Sequence, residues 1–227
     1  MLAPLLMEWK IMLAVSSPET LIIPGLAGSP EGHWQHVWSE DRDNARFVVQ
    51  DNWDTPDIQR WKARLEQALM ETDGAYLVAH SLGCVLVAKM IDSAALGKIR
   101  GALLVAPCDL SATESIHPRL ISFGDMPETK LPFPSVLVGS RNDPYMSEER
   151  ARYFADVWGS RFVDMGYVGH INRASGFGRF SRGYQLFDNL VASAEHRRPS
   201  FKAGGSNVAG VDPEQLVKLR AVALAQF

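Results

Sequence analysis

Short runs of apolar, largely β-branched residues, each followed by a segment of helical periodicity, most constrain what this chain can fold into. Five such runs stand out, at residues 20–23, 47–49, 75–79, 102–105 and 136–138, with a weaker sixth at 161–163. They are continuous rather than alternating, which is the pattern of strands buried on both faces. Between them, Thr55 and Pro56 signal a helix start, followed by a stripe of Ile58, Trp61, Leu65 and Leu69. Ser147 opens another helix, with Tyr153, Phe154 and Val157 expected inward and Gly159 as its stop. Residues 82–91 are apolar nearly all round, so one covered helix is expected there. Strands alternating with helices imply a mostly parallel sheet with helices on both faces, an α/β class.

Composition narrows the function. The chain has 227 residues, enough for one domain with a sizeable core. Its 23 basic and 26 acidic residues give a net charge of −3, which disfavours a nucleic-acid partner. The longest charge-free apolar stretch, residues 74–88, is too short for a bilayer crossing and is interrupted by His80 and Ser81, so no membrane role is expected. Two cysteines, Cys84 and Cys108, without metal-ligand spacing, suit a reducing, cytoplasmic setting and imply neither a disulfide scaffold nor a metal site. Residues 1–19 read as an N-terminal extension lacking the basic start and unbroken apolar centre of a secretory signal. Residues 20–195 form the expected domain, and 196–227 read as a linker and a C-terminal helix. In that helix Asp212, Pro213 and Gln215 mark the start, and Leu216, Leu219, Ala223 and Phe227 share a face. The face is expected to dock on its own domain or on a second copy of the chain, making a homo-oligomer.

Parallel sheets gather ligands at the carboxyl ends of their strands, so polar residues just past each run are the candidates. After the third run comes Ala79-His80-Ser81-Leu82-Gly83, then the covered helix. That is the layout of a nucleophile elbow, in which a sharp strand-to-helix turn exposes a serine oxygen. Ser-x-Gly recurs at Ser122 and Ser181, but neither has both the preceding strand and the following helix. The fifth run leads to Asp143 and the sixth to His170. The order Ser, Asp, His is that of an α/β-hydrolase sheet, and a serine hydroxyl needs an imidazole to take its proton and a carboxylate to hold that imidazole. Asp109, after the fourth run, is the alternative acid; Asp164 reads as a capping or solvated group. Two backbone N–H donors should face the oxyanion. One is Leu82, at the first turn of the elbow helix, and the other is Leu26, in the glycine-flanked loop Pro24-Gly25-Leu26-Ala27-Gly28.

Several segments together resemble the small serine hydrolases of the retinoblastoma-binding protein 9 type. They are Ile23 to Pro30 with His33, Trp34, Gln35 and Trp38; Asp51-Asn52-Trp53 with Pro56 and Trp61; the His80-Ser81-Leu82-Gly83 elbow; Ser140-Arg141-Asn142-Asp143-Pro144; and Gly169-His170-Ile171-Asn172. The resemblance spans about residues 20–192. It implies a compact α/β-hydrolase with a minimal cap and a triad of Ser81, Asp143 and His170. Animal members carry an LxCxE segment for a pocket protein, which this chain lacks, so that partnership is not implied.

The expected activity is hydrolysis of small esters, or of thioesters or amides, through an acyl-serine intermediate, in the manner of a carboxylesterase. The expected partner is a small acyl substrate, and no cofactor or metal is implied. The competing reading is a binding protein that keeps the hydrolase fold without turnover. Gly25, His33, Trp34 and His80 are the candidate substrate contacts, although for His33 and Trp34 the structural reading, a loop brace and a packing indole, is preferred. Cys84 reads as packing, and Cys108 has no clear place. Residues 108–134, with four prolines, are expected to be the only cover over the site.

Overall fold

Six strands form one sheet in the order β2-β1-β3-β4-β5-β6, every neighbouring pair parallel. The computed structural model describes residues 18–197; the N-terminal extension as far as residue 17 and the C-terminal linker and helix from residue 198 onward lie outside the described residues. The strands are β1 (Glu19–Ile23), β2 (Ala45–Phe47), β3 (Ala75–His80), β4 (Ile99–Val105), β5 (Ser135–Gly139) and β6 (Arg161–Asp164). The second strand sits two residues earlier than expected. Val48 turns inward and donates its N–H to Ile22 O, while Val49 is 68% exposed. Apolar character at 47–49 therefore marks the strand's exit rather than its span.

Period-two alternation sorts the strand side chains into two cores. On one face Leu21, Ile23, Leu77, Ala79, Leu104 and Leu137 meet helices α2 (Ile58–Met70), α3 (Leu82–Ala88) and α5 (Glu148–Trp158). On the other, Ile22, Val78, Leu103, Val105, Val136 and Val138 meet α1 (Trp34–Asp41) and α6 (Ser181–Arg197). Each large apolar side chain so buried contributes about 1.5–3 kcal/mol, which is why helices must cover both faces. The remaining helix, α4 (Leu110–Ile116), follows β4. Among the described residues no helix is long and apolar enough to cross a membrane.

The helix ends correct three expectations. Helix α2 is capped by Asp57, whose side chain accepts from Arg60 N at 3.0 Å, rather than by Thr55. Asp57 is held extended by a bridge to Ser122, so no helical turn can begin before it. The covered helix after Ser81 stops at Ala88, where a 3-10 turn, Lys89–Asp92, takes over. Helix α5 starts at Ser147 and ends at a left-handed Gly159 as expected, but its inward face is Ala151, Phe154, Ala155 and Trp158. That set follows the helical repeat of three and four, which leaves Tyr153 42% exposed beneath the Arg150 guanidinium and Val157 only partly buried.

The tightest contact in the fold lies where β1 ends beside the start of α3. A Cβ on Gly83 would stand 2.4 Å from Ile23 O and 2.6 Å from Pro24 O, backbone atoms that have nowhere to go. Gly83→Ala is therefore expected to cost about 3 kcal/mol, at the upper end of overpacking penalties. A urea midpoint equal to that of wild type would contradict this placement.

Candidate active site

Ser81 occupies the turn between β3 and α3 with φ 53° and ψ −121°, a conformation a non-glycine residue holds only under constraint. The constraint is visible on both sides. Ser81 N donates to Val105 O at 3.1 Å, and Cys84 N donates to Ser81 O at 2.9 Å. Gly25 closes in from the β1 loop, where a Cβ would lie 2.8 Å from Ser81 Cβ and 3.2 Å from Leu82 N. This approach sets Leu26 and Leu82 beside the serine. In the same loop Ala27 N is taken by Trp53 O at 2.9 Å, and Gly28 N by Gly25 O at 3.1 Å.

The structure brings Ser81, Asp143 and His170 together. His170 Nε2 lies 2.9 Å from Ser81 Oγ, and its Nδ1 lies 2.8 and 2.9 Å from the two Asp143 oxygens. An ionised carboxylate only accepts, so Nδ1 carries the proton and Nε2 presents its lone pair to the serine hydroxyl. All three residues are buried. Asp143 Oδ1 also accepts from Tyr145 N at 2.9 Å. The loops bearing the acid and the imidazole are laced together: Arg141 N donates to Gly166 O, Val168 N to Ser140 Oγ and Gly169 N to Asn142 Oδ1, at 2.8, 3.1 and 2.8 Å. Downstream, Trp34 Nε1 donates to Ile171 O at 2.8 Å and pins the far side of the histidine loop.

Asp109, the alternative acid, is committed elsewhere. Its side chain caps α4 through Ser111 N and Ala112 N and pairs with Arg150 Nε at 2.7 Å. Asp164 takes the expected capping role, Oδ1 accepting from Gly166 N at 2.7 Å, and its Oδ2 also meets Arg141 and Arg152.

A cleft of about 340 Å³ opens over Ser81. Of the expected substrate contacts, His33 and His80 line it; Gly25 and Trp34 do not. Gly25 is pressed against the elbow backbone, and the Trp34 indole is fully buried between Trp38, His80 and Phe180. The cover is broader than residues 108–134. That segment supplies Cys108, Thr113 and His117, but Pro30, Tyr145, Asn172, Arg173 and Ala174 form other parts of the wall. Tyr145 was invisible in the sequence because only the folded loop turns its ring to within 4.5 Å of the His170 ring and its hydroxyl to 3.1 Å from His117 Nε2. Cys108 lines the cleft, and burial pushes its thiol up to about 12, leaving it neutral. Cys84 is buried and directs Sγ to Val105 O at 3.4 Å, a packing role.

Three imidazoles meet at steep angles in the site. The His33 and His80 rings are 5.0 Å apart, and those of His80 and His170 are 4.8 Å apart. His80 Nε2 donates to His170 O at 2.9 Å, and burial, followed by the neighbouring His170, holds it well below the ordinary histidine value. The same two causes lower His33 from 6.5 to about 4. Both stay neutral beside the His170 ring.

Depression of the His33 value couples stability to pH. The unfolded chain takes up this proton first, so the stabilisation is complete above about 6.5 and is lost as pH falls through about 4. The loss is on the order of 3 kcal/mol. Urea denaturation of wild type and His33→Gln across that range should give a shallower acid decline in the variant; parallel declines would contradict the assignment.

Residues 20–189 match the family described as Serine hydrolase. No curated protein matches the chain by sequence. Among solved structures, a YdeN-like hydrolase from Pectobacterium atrosepticum is 27% identical, with a TM-score of 0.70, covering 82% of this chain and 97% of its own. The ydeN gene product from B. subtilis is 17% identical, with a TM-score of 0.60 and coverage of 78% and 100%. Thermogutta terrifontis esterase 2 is 15% identical, with a TM-score of 0.58 and coverage of 78% and 83%. The sheet order, the elbow and the extent of the family match lead to one assignment: this chain belongs to the serine hydrolase family, within the α/β-hydrolase superfamily.

Proposed function

We propose that the chain hydrolyses small carboxylic esters through an acyl-serine intermediate. The reading rests on one observation, the unbroken hydrogen-bonded line from Ser81 Oγ through the His170 ring to Asp143. Ser81 Oγ attacks the carbonyl carbon while its proton passes to His170 Nε2. Asp143 keeps the ring in the required tautomer and stabilises the imidazolium. The carbonyl oxygen, now carrying negative charge, accepts from Leu26 N–H and Leu82 N–H, donors fixed before the reaction by the approach of Gly25 to the elbow. Collapse breaks the ester bond, and His170 returns its proton to the departing alcohol. Water then attacks the acyl-serine, with His170 as base, and releases the acid and free Ser81.

Small esters suit a cleft near the lower end of ligand-pocket volumes, and an esterase stands among the structural neighbours. The free, buried thiols of Cys84 and Cys108 accord with work in the cytoplasm.

Steady-state hydrolysis of 4-nitrophenyl butyrate tests the reading. Ser81→Ala should lower kcat by about 10⁴-fold or more, and Asp143→Asn by about 10³–10⁴-fold, with KM little changed. Hydroxylamine should trap the butyryl group from wild type. Turnover by a folded Ser81→Ala protein at the wild-type rate would refute the assignment.

A further inference from the structure

The charges around the cleft are one-sided. Apart from the histidines, its lining holds a single ionisable charged side chain, Arg173, and no Asp or Glu. This is a local feature of a chain whose net charge is −3. The neighbouring groove beside α4 has the opposite character, lined by Glu114, Asp125 and Glu128 with Arg150. Arg150 is already paired with Asp109, and Arg42, Arg46, Arg141 and Arg179 likewise meet carboxylates. Among the described residues Arg173 has no such partner.

Arg173 is also placed rather than free to wander. It stands three residues beyond His170 and opens the 3-10 turn Arg173–Ser175, whose cap is the Asn172 side chain accepting from Ser175 N at 3.0 Å. Its stem and guanidinium lie over Gly32, and Nη1 makes a long 3.4 Å contact to Glu31 O. That contact occupies one of five N–H donors, leaving the rest of the fork for a ligand. Thr113, His117 and the Tyr145 hydroxyl, which share the lining, offer no competing carboxylate.

We propose that Arg173 is a specificity-determining residue, selecting esters that carry a carboxylate on the acyl or the alcohol portion. The inference rests on the hydrolase reading above and adds the substrate class. A carboxylate held at this rim gains a charge-assisted, bidentate contact that a neutral ester of equal length does not. Because the pair is partly exposed, the gain is modest and screened by salt.

Two matched pairs test this: 4-nitrophenyl hydrogen adipate against 4-nitrophenyl hexanoate, and 4-carboxyphenyl butyrate against phenyl butyrate. Wild type should favour the anionic member of at least one pair by about two- to fivefold in kcat/KM at low salt, with the preference shrinking as salt rises. Arg173→Gln should lose the preference, its kcat/KM for the anionic ester falling to that for the neutral partner, and continued turnover of the neutral ester reports that it is folded. Arg173→Lys should restore part of it, which a role confined to bracing Glu31 would not produce. Equal or neutral-favouring ratios in wild type, or ratios unchanged in Arg173→Gln, overturn the proposal and leave the esterase reading standing. If no ester of either pair is turned over, the esterase reading fails instead. Calorimetric binding of adipate to wild type and Arg173→Gln then decides the cationic rim alone: weaker binding by the variant supports it, and equal binding overturns it.

Discussion

The close approach of the β1 loop to the β3–α3 turn is the constraint on which the rest of the site depends. Ser81 can hold its positive φ only because the sheet delivers its N–H to Val105 O and the first helical turn engages its carbonyl. The neighbouring backbone can draw near only because positions 25 and 83 lack a Cβ. Leu26 and Leu82 line the same cleft as the serine. A strained residue at a functional turn costs on the order of 1–3 kcal/mol, which the two fully packed cores flanking the sheet can offset. The turn that holds Ser81 and the cleft above it are therefore coupled at one point.

The second determinant is how the imidazole is held. Its loop is fastened from above by the acid loop, from below by Trp34, and at its own carbonyl by His80. Trp34 is itself the first residue of α1, whose first turn His33 caps through Nδ1 at 3.2 Å, and the buried His80 ring packs against the Trp34 indole. Keeping His33 and His80 neutral matters electrostatically, because on the proposed mechanism a charge on either would oppose an imidazolium at His170. Packing residues on the far face of the sheet thus reach the reacting atoms through one loop.

Much of this was legible in the sequence because strand ends and chain order carry it. Six apolar runs located their strands to within a few residues, and polar residues beyond the third, fifth and sixth gave the candidates Ser81, Asp143 and His170. The second strand was misplaced because the chain remains apolar beyond the point where pairing stops, at Val48 and Val49. The helix start at 57 was missed because its cause is a pairing with Ser122, far along the chain. Trp34 and Gly25 were read as substrate contacts from proximity to a functional loop, whereas one is a buried anchor and the other is valuable for what it lacks. Tyr145, His117 and Arg173 carried no local signal. Their convergence depends on how three loops meet over the sheet, which neither periodicity nor spacing encodes.

On the proposed mechanism Ser81 is the group the site activates, in preference to the neutral Cys108 thiol that shares its cleft. Reaction of the full chain with a fluorophosphonate, followed by peptide mass mapping, tests it most directly. The account predicts one adduct, on the peptide containing Ser81, absent when His170 is replaced by alanine in a folded protein. An adduct on Cys108 or elsewhere, or no adduct on folded wild type, would contradict it.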